Sequence, residues 1–182
     1  MLKLDIPETE FFNSETEEFI EVKAQTLTLE YSLVAISKWE QEYGKPFLKE
    51  IENNIPLDEM QDFIRCMTIT QNVDPIVYKT INVDMCNKVV KYMEKPMTAT
   101  TFSNEKPSTK KETVTNELVY YWMSALQIPF TPCEKWHFNR LMTLIKVASE
   151  KNQPPKKMSK GDILRQNNSL NAMRRAKYKS RG

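Results

Sequence analysis

TPCEKWHFNRLMTLI, residues 131–145, holds the only histidine of the chain, His137, four positions after Cys133. Two readings compete for this stretch. On a helix a spacing of four puts both side chains on one face, so the pair has the rudiments of a thiol nucleophile and its base, or of half a metal site. The alternative is the opening of a core helix. Thr131 has a capping side chain, Pro132 suits a first helical position because it has no amide to leave unpaired, and Glu134 stands at the capping-box distance. His137, Leu141, Leu144, Ile145 and Ala148 then carry the apolar spacing onward, which predicts one helix from Pro132 to about residue 150. No glycine-rich elbow or oxyanion loop accompanies the Cys/His pair, and the chain has three glycines in all. The packing reading is preferred, and no catalytic residue, metal ligand or cofactor is expected.

Upstream, Thr109 and Glu112 have capping-box spacing, and Val114, Leu118, Tyr121, Trp122 and Ala125 trace an apolar stripe that ends near Pro129. Residues 109–150 therefore read as an antiparallel helical hairpin with a tight Pro-bounded turn. Before it lies a series of short helices punctuated by proline. Pro56 opens one presenting Met60, Phe63, Ile64 and Met67; Asp74 caps a second with Pro75 in its first turn; Asn82 caps a third bearing Cys86, Val89, Val90 and Met93, stopped by Pro96. Residues 97–111, rich in Thr and Ser, predict an exposed loop. Nearer the start, Ser32 begins a helix with Leu33, Ile36, Trp39 and Tyr43 that Gly44 and Pro46 bring to an end. LKLDIP (2–7) and TLTLEY (26–31) alternate as half-buried strands, with the acidic ETEFFNSETEEF (8–19) between them.

The chain of 182 residues has a net charge of +2, which hides a strong polarity. Residues 1–60 carry fourteen acidic against five basic residues, whereas residues 146–182 carry eleven basic residues against Glu150 and Asp162. Such ends suggest contact between them, self-assembly, or a basic tail that seeks an anionic partner. Ser159 and Asp162 fit a capping box for a helical tail with only a thin apolar stripe of Ile163, Leu164, Leu170 and Met173. The three cysteines lack a CxxC motif and read as buried thiols. Scarce glycine argues against a phosphate cradle. No apolar run is long enough for a membrane span, and the start lacks a signal-peptide layout, so a chain that stays inside the cell that makes it is expected.

Several segments together resemble a known group. They are ISKWEQEYGKPFL (36–48), MTITQNVDPIVY (67–78), MTATTF (97–102), ELVYYWMSALQIPFTPCEKWHFNRLMTLI (117–145), PPKKMS (154–159) and SLNAMRRAKYKSRG (169–182). The group is the tail assembly chaperones of long-tailed bacteriophages. The resemblance implies a helical, non-enzymatic factor in the cytoplasm of the infected bacterium, which binds the tape-measure protein and keeps it soluble until tail-tube subunits polymerise around it. A longer frameshifted form is common in such families. It implies no particular binding residues.

The expected fold is therefore mainly α (α+β): a short N-terminal β-hairpin packed on a bundle of short helices, the helical hairpin at about 109–150, and a basic C-terminal helix. Residues 1–153 form the expected globular domain and 154–182 the tail. Three consecutive rings, Tyr120 to Trp122, cannot all face one core on a helix. Tyr120 and Trp122, with Trp136 and Arg140, are the candidate partner-binding residues, and Lys156, Lys157, Arg174, Arg175 and Lys177 the candidate basic-tail residues. Expected partners are the tape-measure and tail-tube proteins, with self-association open. The alternatives are a structural virion protein of the tail or head-tail connector, and a nucleic-acid-binding accessory protein acting through the tail.

Overall fold

The computed structural model describes all residues except 14–16, 103–112, 153–159 and 179–182. Its architecture is mainly helical with an N-terminal β-ribbon. Two strand pairs form the ribbon: β1 (Leu2–Ile6) with β4 (Gln25–Leu29), and, nested inside the intervening acidic segment, β2 (Thr9–Asn13) with β3 (Glu18–Val22). Strands β2 and β3 thus reach into both ends of the acidic stretch. Both ladders are antiparallel and share one register, since Ile6 opposes Gln25 and Thr9 opposes Val22. Pro7, which cannot donate to a ladder, stands in the gap between them.

Burial changes parity across that gap. In the inner half Leu4 and Ile6 of β1 and Leu27 and Leu29 of β4 face the core. In the outer half Val22 is buried and Phe11 packs against the core, so the opposite set, Glu10 with Glu21 and Phe12 with Phe19, points to solvent.

Helices α1 (Leu33–Tyr43), α2 (Phe47–Glu52), α3 (Leu57–Met67), α4 (Ile76–Lys79) and α5 (Val83–Met93) follow. Side chains cap three of their starts, Asp74 and Asn82 as expected from the sequence and Ser32 in addition. Ser32 Oγ accepts from the Ala35 amide at 3.3 Å, Asp74 Oδ1 from Ile76 at 3.0 Å, and Asn82 Oδ1 from Met85 at 3.0 Å. Gly44 ends α1 at φ +64°, and its amide donates to Glu40 O at 2.8 Å. Helix α1 packs on α2 and α3, α3 on α4 and α5, and α5 on β1. Around the centre Trp39, Phe47, Phe63, Leu27 and Leu29 are fully buried, with the Phe47 and Phe63 rings stacked at 3.7 Å.

Helix α6 (Asn116–Ala125) packs on α1. Its inward face differs from the expected stripe: Val119 and Met123 are buried, Leu118, Tyr120 and Trp122 lie on the flanks, and Tyr121 is 66% exposed. The expected cap pair Thr109 and Glu112 lies outside the described residues, and Thr115 precedes the helix with no side-chain cap.

The largest departure concerns the opening stretch. A single turn, α7 (Phe130–Cys133), contains Thr131 in an extended conformation, and α8 (Phe138–Asn152) starts only at Phe138. Thr131 does not cap a long helix; its hydroxyl donates to Glu134 Oε1 at 3.0 Å. The backbone between the two helices pairs with the entry to α1 instead. Phe138 N donates to Tyr31 O at 2.7 Å, Val34 N donates to Glu134 O at 3.3 Å, and His137 makes a β-bridge with Ser32. A tertiary hydrogen-bonding surface here outweighs a local cap signal. The two helices expected within 109–150 are α6 and α8, but their connection is a structured crossing and not a tight turn.

Residues Met1–Lys151 form one compact unit and Asn152–Gly182 a second. The second contains α9 (Lys160–Tyr178), whose side chains are all exposed. Ser159 and the tail residues Lys156 and Lys157 lie outside the described residues. No described helix is long and apolar enough to cross a membrane.

Candidate functional site

His137 has a structural post. It is 4% exposed, its Nδ1 accepts from the Asn139 amide at 3.3 Å, and its Nε2 lies 3.3 Å from Tyr92 O. A carbonyl can only accept and an amide N–H can only donate, so the pair of contacts selects the neutral ring with its proton on Nε2. The imidazole therefore caps the start of α8 while it closes the end of α5. Edge-on contacts with Tyr31 at 5.4 Å and Tyr92 at 5.0 Å enclose it. Burial holds its pKa below the usual histidine value. With both nitrogens engaged, neither is left to activate the buried thiol of Cys133. Among the described residues no cluster of His, Cys, Asp or Glu could hold a metal ion.

Asn139 completes the same junction. Its side-chain nitrogen donates to Met93 O at 2.7 Å and Lys95 O at 2.8 Å, carbonyls that the end of α5 leaves without helical partners. Sequence reasoning missed this role because Asn at a second helical position carries no local signal of a remote helix end.

Past that junction α6 and α8 leave a surface groove between them, walled on the third side by residues 94–102, with a volume of about 1040 Å³. Trp122 and Leu126 line it from α6 and just beyond, Met142 and Ile145 from α8, and Phe102 from the third wall. Lys146 Nζ sits 3.9 Å from the centre of the Phe102 ring. The aromatic and thioether side chains are adaptable apolar surface, while Glu94, Thr98, Thr143 and Ser149 put polar groups among them. The volume reaches the upper end of small-molecule pockets, roughly 300–1,000 Å³; a frame of two helices and the segment 94–102 suits a polypeptide segment.

Of the candidate partner-binding residues, Trp122 alone lines the groove. Tyr120, two positions away and so on another flank of α6, packs its ring edge-on against Phe130 at 5.3 Å and donates to Glu134 Oε2 at 3.2 Å. Burial, then the Glu134 charge, pushes its phenol up to about 12. Trp136 is half-buried beneath the exposed Arg140, whose guanidinium lies 4.1 Å above the ring. Arg174, Arg175 and Lys177 are exposed on α9. Met142 and Leu126, absent from the sequence-based set, belong to the groove; their spacing alone could not separate a groove wall from core.

The chain matches no family model, no curated protein and no solved structure.

Proposed function

We propose that this protein is an assembly chaperone that shields an amphipathic helix of a long client, with the phage tape-measure protein as the client that the sequence resemblance names. The observation that carries the reading is the groove of about 1040 Å³ with Trp122, Leu126, Met142 and Ile145 on its walls. An amphipathic helix seats its apolar anchors at spacings of three and four residues in such a channel. Glu94 and Lys146 place opposite charges on the lining, which favours one orientation of a charged segment over the other. Transient cover of this kind keeps an aggregation-prone helix soluble until its permanent partner arrives.

The test is co-expression of the chain with the tape-measure protein. The client should remain in the soluble fraction and purify with the chaperone, and Met142→Glu should abolish both effects while the variant stays folded. A client equally soluble with and without the chain, or one retained by Met142→Glu, defeats the reading.

A further inference from the structure

The outer face of the ribbon carries two features that are each unfavourable in isolation. Glu10 stands directly opposite Glu21, and Phe12 directly opposite Phe19, on the same solvent-facing side. Like charges facing each other across strands destabilise a ribbon. The two rings, 49% and 71% exposed, contact each other at 5.1 Å and leave most of their surface in water. The face is therefore a small aromatic patch bordered by the carboxylates of Glu10 and Glu21.

Helix α9 shows the inverse pattern. Ile163, Leu170, Arg174 and Lys177 follow one another at seven, four and three residues, so they run along one side of the helix, with Met173 and Tyr178 adjoining. All of these side chains are exposed. A helix that buries no side chain lacks the tertiary packing from which most helical stability in proteins comes, and a mixed apolar and cationic side is what an aromatic patch among carboxylates accommodates: rings against aliphatic groups, guanidinium and ammonium against Glu10 and Glu21.

We propose that the protein associates with itself through this complementarity, the outer ribbon face of one copy (Glu10, Phe12, Phe19, Glu21) receiving the α9 helix of a second copy. The surfaces that meet differ, so the contact is heterologous and builds closed rings or longer assemblies. It uses no residue of the groove.

The experiment is sedimentation velocity on the full chain, nuclease-treated, from low concentration to about 50 µM, at about 50 mM and about 500 mM salt. Reversible oligomers are expected at low salt and monomers at high salt. Glu10→Lys with Glu21→Lys should weaken association by about 30-fold, and so should Arg174→Glu with Lys177→Glu. All four positions are exposed, and a circular dichroism spectrum checks the fold of each variant. Mixing the two double variants should restore assembly, because each then supplies what the other's changed surface needs. A monomer at every concentration and salt overturns the proposal. So does an oligomer indifferent to both pairs of substitutions, or one that nuclease treatment removes, which assigns α9 to nucleic acid.

Discussion

Glu40 Oε2 accepts hydrogen bonds from both the backbone and the side-chain nitrogen of Asn116, at 2.8 and 2.7 Å, across 76 residues of chain. Its other oxygen accepts from the Phe47 amide at 2.9 Å. One buried carboxylate thus supplies acceptors to the first turns of α2 and α6, where amides lack helical partners and the helix dipole favours negative charge. Glu40→Ala would strand three donors in a buried site, and should cost roughly 3 kcal/mol. Urea unfolding of the two proteins checks the value, and a loss below about 1 kcal/mol would show that water replaces the carboxylate freely.

The His137 ring is neutral in the fold, with its pKa held below the ordinary value of 6.5 by burial. The unfolded chain therefore binds the proton first as pH falls. Its contribution to stability is complete above pH 6.5 and declines as pH drops below that value towards the folded-state pKa. Since the chain has no other histidine, unfolding midpoints between about pH 7.5 and 5.5 should show this decline, and His137→Asn, which can still cap α8, should flatten it.

Gly44 sits at φ +64° with nothing within 4 Å of where a Cβ would stand. Space is therefore no obstacle to a side chain, and only backbone conformation opposes one. Gly44→Ala should cost about 1 kcal/mol and Gly44→Asn less, because Asn tolerates the left-handed region. Thermal unfolding that ranks the two variants the other way would refute the conformational account.

At the groove, Trp122→Ala removes the largest ring from the α6 wall while it leaves the buried face of that helix, Val119 and Met123, intact. Client affinity should fall by about 30-fold, the usual consequence of truncating an aromatic anchor, with a much smaller change in unfolding midpoint. Isothermal titration with a client helix separates the two effects; equal affinity would place the contact elsewhere.

Most of the fold was legible where a signal is local. Ser32, Asp74 and Asn82 cap their helices as their side chains suggest, and Gly44 ends α1 as a residue free of Cβ can. The acidic segment hid its strands because Glu10, Phe12, Phe19 and Glu21 alternate with only a thin inner set, Phe11, Ile20 and Val22, so polarity masked the period of two. Thr131 to Glu134 misled for a different reason: a well-formed cap sequence met the entry to α1, Tyr31 to Val34, which offered its backbone groups stronger alternatives. Of the groove, Trp122 on α6 was legible; the opposite wall required knowing where α8 begins, which no periodicity within 131–145 could tell.

The junction made by His137 and Asn139 has one more consequence, in the order of local opening. Two neighbouring side chains tie the carbonyls of Tyr92, Met93 and Lys95 to the first turn of α8, with His137 45 positions after Tyr92. Neither helix end can fray while the other holds, so amide protons in the last turn of α5 and the first turn of α8 should exchange with deuterium through one shared event.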